Sequence, residues 1–321
     1  MLWASAFLMV GLLLLWRGAD FLVGGAVGLA EKMGVSQLVA GLTVVAMGTS
    51  APEVAAAIAA AISDKGDIAI GNVYGSNVAN LALIGGLVAM IRPLEVRATT
   101  LRREIPAMLG VALLLWPSLR DLMVSRLDAV ALLLVFGILV AYTIRMARTA
   151  GDGEPSDDLN EPSEVPKTVG RDVFFVALGL AALAVGAKAA VSGAVTIGSR
   201  VGLSDAVIGS TIIAVGTSLP EMVTCIVAAV KGHHGISVGN LVGSNIFNTV
   251  FVTGIAGLVH PFRINARFAG GLDYWIMIAV SIAFTAAVIA GGRTIRRTAA
   301  GVLLATYGAY LVYLLQSASP T

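Results

Sequence analysis

Two segments of this chain each occur twice, at one fixed spacing. Gly41-Leu-Thr-Val-Val-Ala-Met-Gly-Thr-Ser-Ala-Pro-Glu53 recurs as Gly209-Ser-Thr-Ile-Ile-Ala-Val-Gly-Thr-Ser-Leu-Pro-Glu221, and Gly71-Asn-Val-Tyr-Gly-Ser-Asn-Val-Ala-Asn80 recurs as Gly239-Asn-Leu-Val-Gly-Ser-Asn-Ile-Phe-Asn248, both displaced by 168 positions. Across 34–80, 21 of 47 positions are identical in the second copy, so a whole element is duplicated rather than two short motifs. The shared residues are mostly Gly, Ser, Thr, Asn, Pro and Glu. Any fold for this chain must house the same polar cluster twice.

Composition sets the solvent in which it does so. Apolar residues fill 57% of the 321 positions and charged residues only 12%, about half the roughly 25% charged of ordinary soluble domains. The chain belongs in a bilayer. Ten apolar stretches, at about 2–30, 36–62, 68–90, 103–119, 126–146, 172–199, 205–230, 236–259, 271–291 and 298–316, are each near the roughly 20 residues that a hydrocarbon core requires. Period-2 alternation is absent, so the spanning element is the helix, which satisfies its own backbone in lipid. The first stretch has no basic leader and is too long for a secretion signal; it reads as the first span.

With the N-terminus outside, the inner loops hold thirteen Lys and Arg residues and the outer loops six. The positive-inside rule then predicts both termini outside, in a plasma or inner membrane. Between spans five and six, the acidic, breaker-rich run Gly151 to Pro166 reads as a flexible tether on the inner face. The expected organisation is one all-α transmembrane domain: repeat one over 1–148, a cytoplasmic linker over 149–169, and repeat two over 170–317. Five spans per half is an odd number, so the second half enters the membrane in the opposite sense. Inverted repeats of this kind place substrate sites near the midplane, at the repeat interface.

The repeated residues carry their own chemistry. Pro52 has no N–H, which frees the carbonyl of Gly48, and Pro220 does the same for Gly216. Helices 2 and 7 are therefore expected to be broken at mid-depth, where freed carbonyls survive only against protein or a water-filled cavity. Beside the breaks stand Thr49, Ser50 and Glu53, or Thr217, Ser218 and Glu221. A carboxylate at that depth costs about 2.5–3.5 kcal/mol on insertion scales if unpaired. The basic residues within spans are Arg17 and Lys188, and Arg17 has a local candidate partner in Asp20, so a bound cation is the more economical partner for the acids. Opposite them, Asn72, Ser76 and Asn80, and again Asn240, Ser244 and Asn248, fall on one helix face. Gly71 with Gly75, and Gly239 with Gly243, allow a neighbouring helix close.

Two carboxylates among hydroxyl, amide and backbone oxygens, without thiolate or imidazole, make a hard site that suits calcium. The formal charge of Glu53 and Glu221 balances one such ion. A purely structural reading exists: Ser50 to Glu53 and Ser218 to Glu221 each fit a capping box with an early proline. Asn72, Asn77, Asn240 and Asn245 are expected to bond between helices. His233 and His234 are expected as ordinary exposed loop residues, and Cys225 has no partner for a disulfide.

The paired Gly-Thr-Ser-x-Pro-Glu and Gly-Asn-x-x-Gly-Ser-Asn motifs, present twice in a ten-span chain, resemble the cation/calcium exchanger superfamily, most closely its prokaryotic sodium/calcium exchanger branch. The resemblance implies exchange of calcium for sodium by alternating access, with the paired glutamates at Glu53 and Glu221 as the calcium ligands. It maps the flanking hydroxyls onto Thr49, Ser50, Thr217 and Ser218, those of the opposing helices onto Ser76 and Ser244, the coordinating carbonyls onto Ala46 and Ala214, and the amide-or-acid positions onto Asn80 and Asn248. It also implies that the long helices at about 2–30 and 172–199 slide as a gate across the other eight. Several relatives carry Asp where this chain has Asn80 and Asn248, which leaves stoichiometry, potassium dependence and proton coupling open. The alternatives are a proton-coupled divalent exchanger of the same fold and a cation channel. His-Glu-x-x-His, Gly-x-Ser-x-Gly and a phosphate-binding loop are all absent from the sequence, so the expectation is a transporter rather than an enzyme, without cofactor or nucleic-acid partner, working as a monomer in lipid on calcium and sodium.

Overall fold

The computed structural model describes residues 2–149, 168–202 and 214–318. The expected tether 151–166 and the first part of the expected seventh span, 205–213, lie outside the described residues. Along the chain the main helices are α1 (Leu2–Met33), α2 (Gln37–Thr49), α3 (Ala51–Ile62), α4 (Gly66–Ile91), α5 (Glu104–Leu115), α6 (Arg126–Met146), α7 (Val169–Arg200), α8 (Ala214–Thr217), α9 (Leu219–Val230), α10 (His234–Val259), α11 (Leu272–Ala290) and α12 (Arg297–Gln316).

Seven of these, α1, α4, α6, α7, α10, α11 and α12, are long and apolar enough to cross a membrane, and α2 with α3 make an eighth such segment bent by 45°. The two remaining expected spans are shorter among the described residues. Over 103–119 the helix proper is α5, twelve residues, or about 18 Å at 1.5 Å per residue. Arg103 at its start departs from helical geometry and Pro117 opens a single 3-10 turn after it. Over 205–230 the described part is α8 followed by α9.

Among the described residues the bundle is helical except for two small pairings that the sequence did not announce. Leu94–Glu95 pairs antiparallel with Thr294–Ile295, and Met123–Val124 pairs with Phe262–Arg263. Each ties the loop after one long helix to the loop before another.

The helix pair α1 and α7 is packed along a seam of small residues spaced by seven. Ala4, Gly11, Gly18 and Gly25 of α1 face Gly193, Gly186, Gly179 and Asp172 of α7, so the two helices run antiparallel. A methyl group added to Gly18 would lie 2.9 Å from the Gly179 carbonyl oxygen, and one added to Gly179 would lie 2.7 Å from that of Gly18. Such backbone approach maximises dispersion contacts, the main attraction available between helices in lipid. At the seam's end buried Asp172 receives Lys32 at 2.5 Å.

Two local expectations are corrected here. Asp20 pairs with Lys231 at the end of α9 rather than with Arg17, whose side chain is exposed; a cation from a neighbouring helix end reaches the carboxylate where the i−3 residue on α1 points away. His233 and His234 are half-buried rather than exposed, because α10 starts against α2: His233 Nδ1 lies 3.1 Å from Gln37 Oε1.

α4 and α10 are the most enclosed of the spanning helices. They run through the middle of the molecule with α3, α9 and α11 around them, and their polar residues are accordingly buried: Asn77, Asn80, Asn240, Ser244, Asn245 and Asn248. Tyr74 and Tyr274 meet edge-on in the main apolar cluster.

Candidate functional site

The chain direction changes between α2 and α3 at Ser50, whose backbone (φ −84°, ψ 11°) is non-helical, with proline in the first turn that follows. Ser218 (φ −89°, ψ 6°) does the same between α8 and α9. Neither serine side chain caps its helix. The capping-box reading therefore fails at both positions, and the hydroxyls are free for other partners. Glu53 and Glu221 sit in the first turns of α3 and α9, where the helix dipole favours a negative group.

The side chains cross between the two copies. Ser50 Oγ donates to Glu221 Oε1 at 2.8 Å and lies 3.1 Å from Ser244 Oγ; Thr49 also bonds Glu221. In the reverse sense the Thr217 hydroxyl bonds Glu53, and Ser76 Oγ donates to Glu53 Oε1 at 3.3 Å. Each acid thus receives a hydroxyl from the other copy, Glu53 a further one from Ser76 of its own copy, and the two carboxylates are near enough to repel each other.

Both acids are only 1% exposed, and among the described residues no basic side chain pairs with either. One oxygen of each, Glu53 Oε2 and Glu221 Oε2, is buried with no hydrogen-bond partner, as are Asn80 Oδ1, Asn248 Oδ1 and Ser218 Oγ. A buried polar oxygen without a donor costs free energy, most of all on a carboxylate, and these two carboxylate, two amide and one hydroxyl oxygens are all able to accept or coordinate. No group of three or more His, Cys, Asp or Glu residues occurs among the described residues. The donor set is therefore two carboxylates and neutral oxygens, the chemistry of a hard cation.

Asn80 and Asn248 owe their position to local helix widening. They lie in π-helical stretches, Ala79–Ile84 and Phe247–Val252, and a third such stretch, Gly41–Val45, precedes Ala46. Single π-turns within α-helices are frequent at functional sites. The Ala46 carbonyl is engaged within its own helix, accepting from the Ser50 amide at 3.1 Å and the Thr49 hydroxyl at 3.5 Å. Ala214 is the first described residue of the second copy, at the head of α8.

The remaining asparagines act as struts. Asn72 Nδ2 donates to the Glu53 carbonyl at 3.3 Å and Asn240 Nδ2 to the Glu221 carbonyl at 3.5 Å, while Asn240 Oδ1 accepts from Thr49 at 3.1 Å. Asn77 Nδ2 reaches Thr249 Oγ1 at 2.9 Å on α10. Asn245 departs from the expected pattern, bonding Leu241 within its own helix. Glycines let α10 press onto α2: a methyl on Gly239 would lie 2.6 Å from the Leu38 carbonyl oxygen.

Two buried hydroxyls escaped the sequence reading. Thr249 anchors Asn77, and Thr224, one turn beyond Glu221, has a buried hydroxyl with no partner. Their counterparts in the first copy are Leu81 and Ala56. A hydroxyl in one copy where the other has an apolar residue was the available signal.

Comparison with known proteins bears on this geometry. The family model described as sodium/calcium exchanger protein matches residues 3–145 and again 172–316, so each half is matched. The inner membrane protein YrbG of Escherichia coli (strain K12) is 40% identical over 287 residues, 88% of each chain. The sodium/calcium exchanger MaX1 of Methanosarcina acetivorans is 34% identical, covering 96% of this chain and 97% of that one. The solved sodium/calcium exchanger from Methanococcus jannaschii superposes with a TM-score of 0.82 at 28% identity, over 97% of this chain and 98% of that one. With its duplicated halves each matched and nearly its full length covered, this multi-pass membrane chain belongs to the sodium/calcium exchanger protein family of antiporters.

Proposed function

We propose that this chain exchanges calcium for sodium by alternating access, with Glu53 and Glu221 as joint calcium ligands at mid-depth. The observation that carries the reading is the pair of buried carboxylates, each with one oxygen lacking any donor and, among the described residues, no basic side chain to compensate it. A divalent cation supplies both missing charges. Ser50, Ser218, Thr49, Thr217, Ser76 and Ser244 orient the acids or complete the shell, Asn80 and Asn248 add amide oxygens, and the Ala46 and Ala214 carbonyls close it.

The architecture proposed for this cycle is ten spans in two inverted repeats of five, with helices 2 and 7 broken at the site. Three features support it: the antiparallel run of α1 against α7, the reciprocal strand pairings of the loops, and the hydroxyls exchanged between copies. Both termini are proposed to lie outside, with the linker 149–169 as an inner tether and the monomer as the working unit.

The test is calcium uptake into vesicles of purified protein, driven by an outward sodium gradient. Uptake is expected for the wild-type chain and absent in Glu53→Gln and Glu221→Gln. Uptake retained by both variants would overturn the proposal. A second reading is favoured by the same mutual repulsion: with no cation bound, two adjacent carboxylates compete for protons, so the emptied site is able to return as a proton carrier. Calcium uptake driven by a pH gradient with sodium absent would select that coupling.

A further inference from the structure

Away from the acids, a groove with about 590 Å³ of open space, mouth included, runs into the bundle between α2, α5, α6 and α10. Its walls are apolar, with Leu42, Phe136, Leu139 and Ile246 along it, and its rim carries Arg103 and Glu104. Two observations distinguish it from ordinary lipid-facing surface. Glu104 Oε2 is buried with no hydrogen-bond partner, and neither Glu104 nor Arg103 enters an ion pair among the described residues. A carboxylate with one oxygen lacking a donor, and the neighbouring guanidinium, both lining an apolar groove, complement a headgroup that carries an ammonium and a phosphate together. The groove also borders the helices that carry the candidate site, because its wall includes Leu42 in the π-helical stretch before Thr49, and Gly243, the residue before Ser244.

We propose that this groove seats one phospholipid whose headgroup bears a primary ammonium, of the phosphatidylethanolamine type. The phosphate meets Arg103, the ammonium donates to Glu104 Oε2, and an acyl chain lies along Phe136 and Leu139. A choline headgroup has the same charges but no N–H to give the carboxylate, and a glycerol headgroup has no cation. The chemistry therefore ranks ethanolamine above both.

Purified full-length protein, equilibrated with equal amounts of ethanolamine, choline and glycerol phospholipids and examined by native mass spectrometry, tests this. The wild-type chain is expected to retain the ethanolamine lipid about tenfold over the other two, the size of a charge-assisted hydrogen bond. Glu104→Gln should erase the preference over choline, and Leu139→Trp, which fills the groove, should lower retention of all three. Thermal melting of the same samples reports that the variants are folded, and the result does not depend on whether the chain binds calcium. Equal retention of the three lipids by the wild-type chain, or an unchanged preference in Glu104→Gln, would overturn the proposal.

Discussion

Glu53 and Glu221 are chemically alike but differently held, and the difference can be measured. Glu221 receives Ser50, which also touches Ser244, whereas Ser218, the counterpart of Ser50, has a buried hydroxyl with no partner. Ser50→Ala should therefore lower the thermal stability of the ion-free protein, by about 1 kcal/mol for a hydrogen bond lost with its acceptor left buried. Ser218→Ala should leave ion-free stability unchanged while weakening calcium binding, and equal effects of the two variants on the ion-free protein would contradict this asymmetry. Neutralising either acid as Gln keeps its shape and removes half of the compensating charge. The loss in calcium affinity should be about 100-fold or more, since an uncompensated buried charge costs about 3–5 kcal/mol. A titration of each variant with calcium checks it.

At the scale of elements, the seam between α1 and α7 brings backbone against backbone and leaves no room for a larger side chain. Gly18→Val should destabilise the fold by about 1–3 kcal/mol through overpacking, whereas Gly24→Val on the same helix, with nothing within 4 Å of the added carbon, should be neutral in the same melting experiment. The sequence announced the glycines, but not that those of α1 and α7 mesh with one another; that depends on two helices some 170 positions apart in the chain. Long apolar helices were legible because length and hydropathy alone specify them. The π-helical stretches at Gly41–Val45, Ala79–Ile84 and Phe247–Val252 were not, because widening a helix by one residue leaves no compositional mark. The acids, their prolines and their serines were legible for the opposite reason: polar residues repeated in register inside apolar spans have few uses. Thr224 and Thr249, present in one copy only, fall outside that pattern, and Lys231, the partner of Asp20, comes from a distant helix end that local spacing does not reveal.

For the whole molecule, two copies of one polar segment meet so that each copy's hydroxyls bond the other copy's acid, which makes neither half a site alone. In the proposed function the cargo is the shared centre of the two halves. Calcium should accordingly raise the melting temperature of the full chain with a logarithmic dependence on concentration, as for any ligand that binds only the folded state, and Glu53→Gln or Glu221→Gln should flatten that dependence. Replacing 150–167 with a Gly/Ser segment of equal length should leave vesicle transport unchanged if that segment is a tether. The most direct test of the central claim is calorimetric titration of the purified chain with calcium, with and without sodium. One calcium per chain is expected, displaced by sodium and lost when Glu53 and Glu221 are both changed to Gln. Calcium binding that ignores sodium, or that survives the double substitution, would contradict it.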